Sequence, residues 1–352
     1  MLKLSVRRKR NNKTSRARSR GRLHLIIFLV LVTFVAFLGV NIIIRGISLK
    51  NYLSKPLTPL ISKTFKFSSK EKILIAIASN PSYLVSFDQK ASNLKIVEIP
   101  QEIHVQVLPN YGFYPLTSAF GLGELENPPQ GGQVLLRTLS QEFGGPIDYY
   151  VAFKNKDIRL TREQISEIKK EFSGINGLVW GVRSTNWIPE NLETNFTLFD
   201  IYRLWWRALS IRDDKINYYK IEGDLFEDLA LPEGKVVKTI ADSKIGELSR
   251  EIFEDSEILD EKIPVEVLNA SEKGGFSSQI GQILARSGVD VSSVGNAINL
   301  SQSSSFLVSH QVKDSMTVKK IARFLGITPQ EKEEKGLFDV TLILGEDLSS
   351  KF

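Results

Sequence analysis

The chain has 352 residues, a formal net charge of +6, no cysteine and three histidines. The missing cysteines remove disulfides, thiolate nucleophiles and Cys-ligated metals, and His24, His104 and His310 are too scattered for a zinc site or a Ser-His-Asp triad. Met1 to Arg22 carries ten basic residues and no acid, so the other residues sum to −4 (+6 less +10), which argues against a nucleic-acid-binding body.

The stretch Leu25 to Ile44, LIIFLVLVTFVAFLGVNIII, holds no charge. At about 1.5 Å rise per residue it matches a hydrocarbon core of roughly 30 Å, and it is predicted to be a transmembrane helix. The basic arm, residues 1–24, is placed in the cytoplasm by the positive-inside bias, and everything after Ile44 outside. No Ala-x-Ala pattern follows the apolar run, so it reads as a retained anchor rather than a cleaved signal peptide. The expected localisation is therefore the plasma membrane, single-pass, with the folded part extracytoplasmic. A basic arm is also a footprint for any polyanion, but anionic lipid headgroups account for it without further specificity.

Residues 45–70, with Pro56, Pro59, several serines and no acid, read as a juxtamembrane linker. Residues 71–260 are expected to form a layered αβ domain. Lys72–Ala78, Tyr83–Asp88, Leu94–Ile99 and Glu102–Leu108 are short β-branched runs between turn residues. A helix over Gly132–Phe143 and a strand over Ile147–Phe153 follow. Thr161–Phe172 opens with a capping pattern, and the next helix, Thr197–Leu209, carries Trp205 and Trp206 in an aromatic cluster read as core packing. Arg203, Arg207 and Arg212 beside it read as a solvent-facing edge. Ile216–Ile221 reads as a strand, and Asp242–Phe253 as a helix entered through the Pro232-Glu233-Gly234 turn.

Residues 263–348 give the clearest pattern: strand, helix, strand, strand, helix, strand. This βαββαβ order predicts a small split βαβ, ferredoxin-like domain, so the whole chain is expected to be α/β (α+β). Asn269, Gly274 and Gly275 lie between its first strand and first helix, where backbone N–H groups can cradle an anion or simply form a turn and helix cap.

The run VEVLNASEKGGFSSQIGQILARSGVDVSSVGNA resembles the C-terminal domain of the LytR–CpsA–Psr (LCP) family of cell-envelope proteins, over about Ile263 to Leu348. Upstream, SNPSYLVSFDQKASNLKIVEIPQEIHV is similar to the family's Ser-Asp-Thr strand and Ile-Pro-Arg-Asp turn. FGGPIDYYVAF is similar to its Gly-x-Pro-Ile-Asp-Tyr-Tyr-Val segment, and GLVWGVRSTN to its Tyr-Val-Arg-x-Arg strand.

The resemblance implies transfer of a glycopolymer from a polyprenyl pyrophosphate carrier to peptidoglycan, with acidic residues on a divalent metal and arginines on the pyrophosphate. Here Asn80 stands at the metal-binding Asp position, Gln101-Glu102 replaces Arg-Asp, and the paired arginines have become Arg183 and Thr185. Glu102 and Arg183 remain as degenerate catalytic candidates, and no metal ligand set is expected. A small pyrophosphate site that has lost fixed charges loses transition-state stabilisation. The sequence therefore predicts a membrane-anchored binding or scaffold protein of the cell envelope, leaning away from an enzyme and without a cofactor.

The expected partners are the lipid bilayer and peptidoglycan, a wall glycopolymer or an envelope protein; nucleic acid is not expected. One alternative is a working phosphotransferase using magnesium, and another is a regulatory anchor with a cytoplasmic partner.

Overall fold

A computed structural model describes residues 71–153, 158–171, 191–299, 301–333 and 336–352. All of them fall within one compact unit of the chain, Pro56–Phe352. The arm, the apolar stretch 25–44 and the linker lie outside the described residues, as does the 172–190 segment with Arg183 and Thr185. Among the described residues no helix is long and apolar enough to cross a membrane.

The first domain is built on β1 (Lys72–Ala78), β2 (Ser82–Asp88) and β3 (Asn93–Ile99), a meander of antiparallel neighbours. A hairpin of β4 (His104–Val107) and β5 (Gly112–Pro115) follows, then α1 (Ala119–Glu124) and α2 (Gly131–Glu142). β6 (Tyr149–Phe153) returns to pair parallel with β1, and after α3 (Arg162–Glu171) the short β7 (Leu192–Thr194) joins β6. The Trp-bearing helix is α4 (Leu198–Leu209), and β8 (Ile216–Lys220) closes the six-stranded sheet, in the order β7-β6-β1-β2-β3-β8. A second hairpin, β9 (Phe226–Ala230) and β10 (Val236–Ile240), precedes α5 (Asp242–Phe253) and α6 (Ser256–Glu261).

Alternation along β1 shows why it is a central strand. Leu74 and Ala76 enter one core with Val134, Leu135 and Leu139 of α2 and Ile252 of α5, whereas Ile73 and Ile75 face the opposite side with Ile201 and Leu204 of α4. A strand buried on both faces reads as a continuous apolar run, as KILIAIA does, and the result is a three-layer αβα domain. The Pro232-Glu233-Gly234 turn joins β9 to β10 rather than leading straight into α5, as the sequence reading had it. Polar residues such as Glu227, Asp228 and Lys238 had hidden that hairpin.

The second domain comprises β11 (Pro264–Asn269), α7 (Phe276–Ala285), β12 (Asp290–Asn296), β13 (Phe306–His310) and α8 (Met316–Leu325). It ends with β14 (Pro329–Lys332), β15 (Val340–Leu344) and the short α9 (Glu346–Ser349). Val265, Val267, Leu342 and Leu344 pack against Phe276, Ile280, Val318 and Ile321 in one core, giving two layers.

The ferredoxin-like expectation is corrected here. A split βαβ places another strand between each helix-linked pair, but β11 and β12 are direct parallel neighbours, as are β13 and β14, in the order β12-β11-β15-β13-β14. The strand that changes the topology, β14, reads PQEK and carries no hydrophobic alternation, as suits an edge strand shielded by charge and proline.

Candidate functional site

β1 and β3 run in the same direction, because each is antiparallel to β2, so both end at one edge of the six-stranded sheet. Carboxyl ends of strands are where open α/β sheets place ligands. Ser79-Asn80 follows β1 there and Gln101-Glu102 follows β3. The Asn80 Nδ2 donates to Gln101 Oε1 at 3.0 Å, so these two residues meet as an uncharged amide pair.

Around them the backbone is held firmly. Ser79 Oγ donates to the Pro81 carbonyl at 2.6 Å and Ser82 Oγ to the Ser79 carbonyl at 3.0 Å, which fixes the turn after β1. Buried Ile103 anchors the other turn, with its carbonyl accepting from Leu116 N at 2.9 Å. The Glu102 carboxylate projects from an exposed residue, and His104 Nδ1 donates to the Glu102 carbonyl oxygen at 3.0 Å. Beyond lies the β4–β5 hairpin, with Phe113 and Tyr114 exposed; Tyr111 donates to Glu126, and burial together with that carboxylate pushes its phenol up to about 12.

At this edge Asn80, whose NH2 is directed at Gln101, offers a neutral amide oxygen, and Glu102 offers one carboxylate. Among the described residues no group of three or more His, Cys, Asp or Glu is placed to hold a metal ion.

The Asn269 loop serves its own fold. Asn269 Oδ1 accepts from Ser271 N (3.0 Å) and Ser271 Oγ (2.8 Å), and its Nδ2 donates to the Lys273 carbonyl at 2.8 Å. Gly275 caps α7 with φ +74°, a left-handed conformation that glycine adopts without strain. Gly274 adjoins open space. A carboxylate from the same domain is already seated on the loop, where Glu346 Oε1 accepts from Glu272 N at 2.7 Å. The hydrogen bonds from the Ser349 hydroxyl and from Glu272 N hold the Glu346 carboxyl below its ordinary range. The cap reading therefore describes this loop, and the structure does not bring Asn269 near Glu102.

Sequence reasoning missed a buried ionic network where the two domains meet. Lys320 Nζ, on α8, contacts Asp148 Oδ2 at 2.5 Å, with side-chain exposures of 3% and 0%. Arg323, one turn on, is paired with Glu71, the residue that opens the first domain, and lies 3.9 Å from Asp148. Lys72 N donates to Asp255 Oδ2 at 3.0 Å and its Nζ to the Glu254 carbonyl. Burial raises the Asp148 carboxyl and lowers the Lys72 ammonium. The signal available was Lys320 and Arg323 set three residues apart on a helix whose Val318, Ile321 and Leu325 are buried.

The network sits beside the amino ends of β1 and β6, so the second domain docks at the edge opposite Asn80 and Gln101. Gln279 to Gln141 (2.8 Å), Arg286 to the Phe143 carbonyl (3.0 Å) and Leu108 in the second core extend the contact.

The aromatic cluster departs from its core reading in part. Ile201, Leu204 and Ala208 of α4 pack inward, but Trp206 is 68% exposed and Phe199 58%. Arg207 donates to Gln89 and Arg212 pairs with Asp214 at 3.0 Å. A cleft of about 400 Å³ beside α3, lined by Arg162, Glu163, Lys170 and Asp213, is of mixed charge and lies away from the Asn80 edge.

The chain thus joins a three-layer αβα domain to a two-layer α/β domain. The family model described as "LytR cell envelope-related transcriptional attenuator" (LytR_C) matches residues 262–348, which span the second domain. No curated protein matches the chain. Solved structures similar to it include B. subtilis TagT, with 16% identity and a TM-score of 0.36 over 57% of this chain and 97% of that one. B. subtilis TagV shows 15% identity and a TM-score of 0.38 over 53% and 97%. YwtF (TagT), described as a LytR-CPS2A-psr family protein with bound octaprenyl pyrophosphate lipid, shows 17% identity and a TM-score of 0.35 over 54% and 92%. The likeness to these structures is loose.

Proposed function

We propose that this chain is a membrane-anchored, extracytoplasmic binding or scaffold protein of the bacterial cell envelope, in which an LCP-like domain has kept its scaffold and lost pyrophosphate chemistry. One observation carries the reading: Asn80 and Gln101 form an uncharged pair at 3.0 Å where the family resemblance calls for an acid and an arginine. Two adjacent phosphates need fixed positive charge, and neutral amides supply hydrogen bonds without it.

The LytR_C match supports an envelope setting. The uncharged Leu25–Ile44 stretch behind a basic arm supports the anchor and the plasma-membrane localisation. The ligand class that follows is a wall glycan, a wall glycopolymer or another envelope protein.

The seam with the first domain buries Lys320, Arg323 and Asp148, so the second domain is not treated as a separable module. The test accordingly uses the full chain in detergent, incubated with purified wall sacculi and sedimented. Retention in the pellet, competed by soluble wall fragments, is expected. A folded chain that stays in the supernatant removes the wall from the reading.

A further inference from the structure

Helix α4 is apolar on two sides. Its inner side, Ile201, Leu204 and Ala208, packs on the sheet. Its outer side presents Phe199 and Trp206, 58% and 68% exposed. Seven residues apart, they lie on one face, separated by about 10 Å along the axis, with Tyr202 and Arg203 between them. The helix's one acid, Asp200, is buried in the capping box with Thr197. Exposed aromatic side chains beside arginine suit a boundary that is apolar on one side and anionic on the other.

The position of this face indicates what covers it. Arg207 Nη1 donates to Gln89 Oε1 at 2.5 Å, and Gln89 Nε2 donates to the Glu71 carbonyl at 2.9 Å. Two hydrogen bonds thus tie α4 to the residue at which the chain arrives from the preceding seventy. Those residues include the uncharged stretch 25–44 and a 46–70 segment with five lysines and no acid.

We propose that the outer face of α4, with Phe199, Tyr202, Arg203 and Trp206, seats the folded domains on the surface of an anionic lipid bilayer. Phe199 and Trp206 enter the headgroup boundary, and the arginine meets lipid phosphates. The membrane concerned is the one in which 25–44 is expected to lie, so the inference rests on the anchored reading above.

The absence of cysteine makes the test direct. Ser210→Cys, exposed one turn beyond Trp206, is labelled with an environment-sensitive fluorophore in the full chain. The protein is reconstituted into phosphatidylcholine–phosphatidylglycerol vesicles containing doxyl lipid, with Val236→Cys, 62% exposed on β10, as control. Flotation with the vesicles reports the anchor separately.

The label at 210 is expected to shift to the blue and to be quenched about two-fold more than at 236, as for a group at the headgroup level. Phe199→Ala with Trp206→Ala should abolish the difference while circular dichroism stays unchanged. A chain that floats but shows equal quenching at both positions overturns the proposal. So does a label at 210 that responds to added wall glycan or to dilution of the protein and not to lipid. If the chain does not float, the anchored reading fails, and vesicles added from outside still decide the matter: quenching at 210 supports the face and its absence overturns it.

Discussion

Replacing Lys320 with methionine removes the cation that holds Asp148 at the junction of the two domains. The Asp148 carboxylate is wholly buried and its Oδ1 has no hydrogen-bond partner. The next cation, Arg323, is 3.9 Å away and already paired with Glu71. Removing one member of a buried pair costs about 3–5 kcal/mol. For a folded part of this size that lowers Tm by about 5–9 °C. Thermal and urea unfolding of the full chain, followed by circular dichroism, measure it, with limited proteolysis at 254–263 reporting separation of the domains.

The sign with pH follows from Asp148. Burial raises its folded pKa, so without Lys320 the penalty is full above that raised value and shrinks as pH falls and the carboxyl protonates. A second substitution, Asp148→Leu in the Lys320→Met background, should restore most of the loss, because an apolar pair of similar volume carries no unpaired charge. A loss below about 1 kcal/mol, independent of pH, would refute the view that this pair locks the domains together.

Other substitutions probe separate parts of the account. Glu261 accepts from Met316 N at 2.6 Å and from Thr317 N and Oγ1 at 2.8 Å, so Glu261→Ala should cost about 1–2 kcal/mol in urea unfolding. Gly132→Ala would bring a Cβ within 2.1 Å of the Tyr150 ring and should cost about 2–3 kcal/mol, whereas Gly274→Ala meets open space and should stay within about 0.5 kcal/mol. Asn80→Asp combined with Gln101→Arg should increase magnesium-dependent binding of a pyrophosphate about ten-fold, read by calorimetry; unchanged binding would mean that these positions do not form the anion site.

Local periodicity was legible where an element buries a regular face. KILIAIA and DSKIGELSREIF have the bounds the sequence gives them. The β9–β10 hairpin and β14 escaped because their residues are mostly solvent-facing, and no apolar alternation marks such strands. With β14 unseen, the parallel pairing of the second domain was also out of reach, since adjacency of strands is set by long-range contact rather than by local pattern.

The site followed the same division. Asn80 and Gln101 were singled out by resemblance, yet their hydrogen bond depends on β1 and β3 ending at one edge. Lys320 and Arg323 were not singled out, because it is the docking of α8 on Asp148 and Glu71 that buries them. Trp206 was misjudged because α4 carries apolar residues on both sides, so composition alone did not show which side meets the sheet.

The central claim is that the Asn80 edge no longer performs pyrophosphate chemistry. Its most direct test is release of polyprenyl phosphate by the full chain, reconstituted in vesicles with magnesium and a polyprenyl-pyrophosphate-linked glycan, after circular dichroism has shown it folded. No release above the rate of empty vesicles is the expected result. Sustained, magnesium-dependent release that Glu102→Gln abolishes would contradict the claim and make this chain a working transferase.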